Sequence, residues 1–163
     1  MVFSRRNARV LAVIAWIGVI FFSSTSLASQ WCEQGFSWLS SLLFGHLGPT
    51  DPSYGILHLL ADKGVHVSLF LILAMLLCMT IPQIRWKAAI VLGCGALVGS
   101  CSEFLQRFFP GRDPAIRDVL INIGGTAAGL ALHFAIVHFR DDRTSGGVLP
   151  RATEAETVST SKH

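Results

Sequence analysis

The chain alternates long apolar runs with short polar breaks, and the runs have the lengths that cross a bilayer. About 20 apolar residues make ~30 Å of helix, the thickness of the hydrocarbon core. Four stretches are predicted as spans, at about residues 10–28, 65–81, 86–105 and 119–139. The second is uncharged and stops at Pro82, while Asp51-Pro52 supplies an earlier helix start that lets it begin well before Val65. Between the first two, Phe36, Leu39, Leu43 and Leu47 recur at helical spacing, with Ser37, Ser40 and Ser41 elsewhere on the wheel and Trp31 and Trp38 beside them. That pattern predicts a helix over about 33–47 lying in the membrane interface. The expected fold is therefore all-α integral membrane, a four-transmembrane-helix bundle with an extra interfacial helix in the first outer loop.

Charge sharpens this division. Of the 23 charged residues, three fall in positions 1–9, eight in 140–163 and only twelve in the 130 residues between. With 52% apolar residues and a mean hydropathy of +0.55, the middle of the chain is suited to lipid rather than water. Residues 1–9 read as a basic cytoplasmic end, 10–139 as the membrane domain, and 140–163, rich in Thr, Ser, Gly and Glu, as a disordered cytoplasmic tail. Arg5, Arg6 and Arg9 before an apolar run that ends near Ser26 and Ala28 also meet the pattern of a cleavable leader. A retained anchor is the expectation, because further apolar stretches follow. Lysine and arginine are retained on the cytoplasmic side of short loops. Arg5, Arg6, Arg9, Arg85, Lys87, Arg140 and Arg143 fall on one side, against Lys63, Arg107, Arg112 and Arg117 on the other. Both termini are thus expected inside. The net charge of +3 is too small and too terminal to argue for nucleic acid.

Cys78, Cys94 and Cys101 read as small packing residues and Cys32 as a loop thiol; none has zinc spacing, and no metal or cofactor is expected. Cys94 and Cys101 lie ~10 Å apart along one helix, beyond disulfide reach. Gly95 and Gly99 form one GxxxG pattern, Gly125 and Gly129 another, which predicts close approach of the third and fourth spans.

The ionisable residues of the last three spans gather near one end. His58, Asp62 and His66 share a stripe at four-residue spacing, Glu103 and Gln106 share a face, and Asp118 and Asn122 share another, with Arg112 in the connecting turn. Charges at membrane depth cost about 2.5–3.5 kcal/mol each on insertion scales, so they tend to face a protein interior or wet cavity. Asp62, His66, Glu103, Arg112, Asp118 and Asn122 are expected to converge. The plainer alternative is a set of structural ion pairs, such as Glu103 with Arg107, Arg112 with Asp118, or Asp62 with a nearby arginine.

These residues carry a resemblance. The strings ADKGVH (61–66), SEFLQRFFPGR (102–112) and RDVLINIGGTAAG (117–129) resemble the pattern of the VanZ family: Asp-Lys-x-x-His, then Glu-x-x-Gln followed by Pro-Gly-Arg, then Asp-x-x-x-Asn-x-x-Gly with a later glycine. The elements present are Asp62, Lys63, His66, Glu103, Gln106, Pro110, Gly111, Arg112, Asp118, Asn122, Gly125 and Gly129, and the likeness spans about residues 10–138 with the Ser23-Ser24 end of the first span. His58 and the interfacial segment fall outside the motif. The resemblance implies a small multi-pass membrane protein, from a family associated with low-level resistance to the glycopeptide teicoplanin. The expected location is the bacterial cytoplasmic (inner) membrane.

Two functions of different class compete. One is an outer-leaflet site for an anionic envelope-lipid or cell-wall-precursor headgroup. There Arg112 would anchor by its planar fork, Lys63 would act as a point charge, Gln106 and Asn122 would supply directional hydrogen bonds, and Asp62, Glu103 and Asp118 would orient the cations. The other is an intramembrane enzyme on a lipid-linked substrate, with Glu103 and His66 as the acid–base candidates; no nucleophile elbow, HExxH or phosphate-cradling loop accompanies them. A metal variant would use His58, His66 and Glu103. Transport fits four spans without a repeat poorly, although a homo-oligomer could build a path. His133 and His138 read as packing or interface residues. The partners expected are membrane lipid and a lipid-linked cell-wall precursor.

Overall fold

The computed structural model describes residues 4–45, 52–110 and 115–145. They form five helices, and no strand is present among them: α1 (Arg5–Ser23), α2 (Ser26–Phe44), α3 (Pro52–Thr80), α4 (Lys87–Gln106) and α5 (Ile116–Ser145). Helices α1, α3, α4 and α5 are long and apolar enough to cross a membrane, so the protein is a multi-pass, all-α membrane protein with α2 as the additional helix.

Local chemistry sets the boundaries. The first helix ends at Ser23 rather than near Ala28, because hydroxyls offer the backbone other partners: Ser23 and Ser24 donate to the Ile20 carbonyl and Thr25 to that of Phe22. Thr25 then caps α2, accepting from the Ala28 amide at 3.4 Å, so α2 begins at Ser26, ahead of the expected residue 33. It stops at Gly45, which takes the left-handed conformation at φ +60° as helix C-caps commonly do; Leu47 lies outside the described residues. Pro52 opens α3, well upstream of Val65, and Pro82 follows its end. The last helix continues to Ser145, past the expected boundary at 139; residues 146–163 lie outside the description.

The described residues divide into two units, one ending at His133 and the other starting at Phe134. In the second, the described residues 134–145 continue α5, with the His138 and Phe139 rings 6.2 Å apart. In the first unit, the bundle core is Ile20, Phe70, Leu73, Ala74, Leu77, Cys78, Val91 and Leu130. Large side chains such as Ile14, Leu97 and Leu120 stay exposed, at 60%, 65% and 64%, which is the arrangement lipid requires and water penalises. Helices α1 and α3 run antiparallel, tied by Arg9 Nη1 to the Met79 carbonyl and Trp16 Nε1 to the Leu69 carbonyl, both at 2.9 Å. Lys87, counted above among the cytoplasmic cations, is buried at the start of α4.

Glycine positions fix how closely the helices meet. A Cβ on Gly95 would strike the Thr126 side chain, and one on Gly99 would lie 3.1 Å from the Asn122 Cβ, so these two glycines admit α5 against α4. Gly125 and Gly129 do something else. A Cβ on Gly125 would stand 2.7 Å from the Val67 carbonyl oxygen, and one on Gly129 would strike that of Leu71. The α5 pair therefore receives α3, not the α4 neighbour expected from the two patterns. A helix with small residues on two faces can hold two partners, and sequence spacing does not say which face meets which.

Candidate functional site

One end of the bundle gathers polar side chains from α3, α4 and α5. Lys63 on α3 donates to Asp118 Oδ2 at 2.9 Å and lies 3.0 Å from Asp62 Oδ2. One turn further along, His66 Nδ1 stands 3.2 Å from Asn122 Oδ1. The four-residue spacing of Asp118 and Asn122 on α5 matches the Lys63–His66 step on α3, so one parallel helix pair makes both contacts. On α4, Glu103 Oε2 accepts from the Ala115 amide at 3.3 Å, immediately before α5. A carboxylate at that position meets an unsatisfied helix N-terminus and its positive dipole end.

The cluster is dry. Glu103, Gln106, Asp118, Asn122 and Thr126 are 5%, 4%, 6%, 0% and 0% exposed. Its interior holds more acid than base, since Lys63 faces both Asp62 and Asp118 and Glu103 lies within electrostatic range of Asp118, His66 and Lys63. Three buried atoms of the cluster have no hydrogen-bond partner among the described residues: Glu103 Oε1, Asp118 Oδ1 and Asn122 Nδ2. Asp118 Oδ1 has the exposed Arg117 guanidinium at 3.7 Å. An unmade hydrogen bond of this kind costs about 1–3 kcal/mol.

The sequence-selected residues are thus placed as follows. Asp62, Lys63, His66, Glu103, Gln106, Asp118 and Asn122 lie at one end of the bundle. Arg112 lies outside the described residues. Asp62 and Asp118 pair with Lys63, Asp118 also has Arg117 at 3.7 Å, and Arg107 extends over the Phe104 ring at 5.9 Å. His58 lines, with Asp62 and His66, a cavity bordered by α2 to which Glu103 does not contribute, and no three His, Cys, Asp or Glu side chains among the described residues come close enough to hold a metal ion.

Sequence reasoning gave no structural role to three side chains. Ser24 and Ser102, 1% and 2% exposed, bond each other at 2.7 Å and tie the end of α1 to α4. Thr126 donates to the Asn122 carbonyl at 2.9 Å and fills the notch left by Gly95. Hydroxyls are ordinary in membrane helices, so only their i−4 spacing from Ile20 and Asn122 hinted at burial.

No curated protein and no solved structure matches this chain. The sequence pattern of one family matches residues 9–138, a stretch that contains all four spanning cores and every residue of the polar cluster. On that match the chain belongs to the VanZ/LLP1 family.

Proposed function

We propose that this protein binds the headgroup of an anionic envelope lipid or lipid-linked cell-wall precursor at the polar end of its bundle. That end faces the outer leaflet of the cytoplasmic membrane, with both termini cytoplasmic. The observation that carries the reading is a pair of buried atoms without a hydrogen-bond partner among the described residues, Asn122 Nδ2 and Glu103 Oε1, inside a cluster that pairs across three helices. A purely structural lock gains nothing from leaving a donor and an acceptor unused. Because Lys63 is held between two carboxylates, the ligand's phosphate or carboxylate falls to the arginines of the α4–α5 connection, Arg107, Arg112 and Arg117. Asn122, Gln106 and Glu103 then read its hydroxyl or amide groups. Sequestering such a headgroup would alter what a glycopeptide meets at the membrane surface, and so modulate teicoplanin susceptibility.

The test is binding by purified full-length protein in nanodiscs to phosphatidylglycerol, polyprenyl phosphate and phosphatidylcholine. Arg112→Lys, which keeps the charge but loses the fork, and Asn122→Leu should each weaken binding of the anionic ligands by about tenfold, the worth of one charged hydrogen bond. If Arg112→Ala and Asn122→Leu proteins fold and bind all three lipids as the parent does, the reading fails.

A second reading rests on Glu103 alone. Its Oε1, without a hydrogen-bond partner among the described residues, is buried, and the residue lines a cavity with Ser100, Arg107 and Ala115, which suits an acid or base acting with His66 on a lipid-linked substrate. Under that reading Glu103→Gln binds the lipid normally while converting none of a supplied polyprenyl-linked substrate.

A further inference from the structure

Lys87 is the first residue of α4 and is 3% exposed, at the opposite end of that helix from Glu103 and Gln106. From position 87 to position 103 is ~24 Å along the helix axis, so Lys87 stands well apart from the polar cluster. Its ammonium lies within electrostatic range of Cys78 on α3 and of His133 on α5. Among the described residues no carboxylate pairs with it and no acceptor takes a hydrogen bond from it. Carbonyls at the end of α3 serve other donors: that of Leu76 accepts from the Thr80 hydroxyl, that of Leu77 from the Ile81 amide and that of Met79 from Arg9.

A lysine here has the wrong sign for its helix. A helix N-terminus carries the equivalent of about +0.5 elementary charge, and cations are favoured at the other end. Helix α4 follows Trp86, which gives the first amides no side-chain cap, and the residue before it, Arg85, is a cation lying over the Trp86 ring at 5.5 Å. Lys87 Nζ is absent from the sealed polar atoms that lack a partner, so the four-carbon stem is what is buried and the ammonium opens to the medium. Burial of the stem thus holds a positive charge beside an uncapped, positive helix end. An anion completes that arrangement. Ile84 and Trp86 beside it are 46% and 65% exposed, and tryptophan is enriched at the level of lipid headgroups, where phosphates lie.

We propose that Lys87 and the first amides of α4 bind a phosphate group, that of an anionic lipid in the leaflet opposite the polar cluster. Lys87 Nζ takes one phosphate oxygen and the amides of the first turn another, as helix N-termini hold phosphate and basic pockets between membrane helices hold anionic headgroups. A zwitterionic headgroup would bring its own cation towards Arg85 and Lys87, so a lipid of net negative charge is preferred. The site shares no residue with the headgroup cluster and does not depend on that reading.

Photolabelling tests it. Full-length protein in phosphatidylcholine nanodiscs doped with phosphatidylglycerol that carries a diazirine in its headgroup is irradiated, and modified peptides are identified by mass spectrometry. Labelling should be saturable on the segment 82–92, and unlabelled phosphatidylglycerol should displace it where inorganic phosphate does not. Lys87→Met should lower that labelling about tenfold, the factor one charged hydrogen bond supplies. Ala89→Asp, at an exposed residue of the first turn, provides an internal anion that the helix end favours, and should lower it likewise. Asn122→Leu, which disables the headgroup reading, should leave it unchanged. Labelling of 82–92 that survives both Lys87→Met and Ala89→Asp, or an equal yield from the matching phosphatidylcholine probe, would overturn the proposal. Displacement by inorganic phosphate as effective as that by phosphatidylglycerol would overturn the lipid as ligand. If Lys87→Met fails to accumulate, Ala89→Asp alone decides.

Discussion

Replacing Gly129 by alanine should loosen the bundle even though alanine is the better helix former. The added Cβ would strike the Leu71 carbonyl oxygen and stand 2.9 Å from the Ala74 Cβ. Neither can rotate away, since one belongs to the α3 backbone and the other is a methyl fixed to it, so α3 itself must move. Overpacking of this kind costs about 1–3 kcal/mol. Gly124→Ala is the matched control, because nothing lies within 4 Å of a Cβ built there. Both substitutions gain about 0.8–1.0 kcal/mol of helix propensity, which cancels in the comparison and leaves the steric cost alone. At about 2–4 °C per kcal/mol for a chain of this size, Gly129→Ala should melt roughly 2–12 °C below Gly124→Ala. The assay is thermal unfolding in one detergent, followed by helical circular dichroism and by tryptophan emission. Moving α3 from α5 also parts Lys63 from Asp118 and His66 from Asn122, so headgroup binding should fall with stability. A Gly129→Ala protein that melts at or above the Gly124→Ala protein would refute the close α3–α5 contact.

Ser24→Ala should destabilise by about 1–3 kcal/mol, since it takes away the partner of the buried Ser102 hydroxyl, and Ser102→Ala should cost less, since Ser24 keeps its bond to the Ile20 carbonyl. The double variant should cost less than the sum, and additive costs in that mutant cycle would mean the pair does not interact. Lys63→Met leaves Asp62 and Asp118 facing each other without their cation and should cost about 1.5–3 kcal/mol of unfolding free energy. Adding Asp118→Asn should recover part of that loss, and no recovery would show that Lys63 stabilises by another route. For topology, a variant keeping only Cys32 should react with an impermeant thiol reagent on intact spheroplasts; reaction only after lysis would invert the orientation proposed for the polar end.

Four spans, an extra helix and the starting proline of α3 follow from the chain itself, because helix length and apolar content answer to the bilayer and to local backbone chemistry, which act within a few turns. The stripe of His58, Asp62 and His66 was legible for the same reason, since 3.6-residue periodicity alone puts residues four apart on one face. Helix ends were less so. The break at Ser24 depends on hydroxyls choosing the Ile20 and Phe22 carbonyls, and in lipid that choice competes with continuing an apolar run that extends to Ala28. Partner choice belonged to tertiary structure. Two GxxxG patterns announced close packing, yet which face each helix turned, Gly95 and Gly99 to α5 but Gly125 and Gly129 to α3, was set by how four cylinders fit together. The same packing set Lys63 between Asp62 and Asp118, left Asn122 Nδ2 without a hydrogen-bond partner among the described residues, and set α2 against α3 to enclose a cavity that no single segment encodes. Periodicity assigns a residue to a face of its own helix; only the packed bundle determines what that face meets.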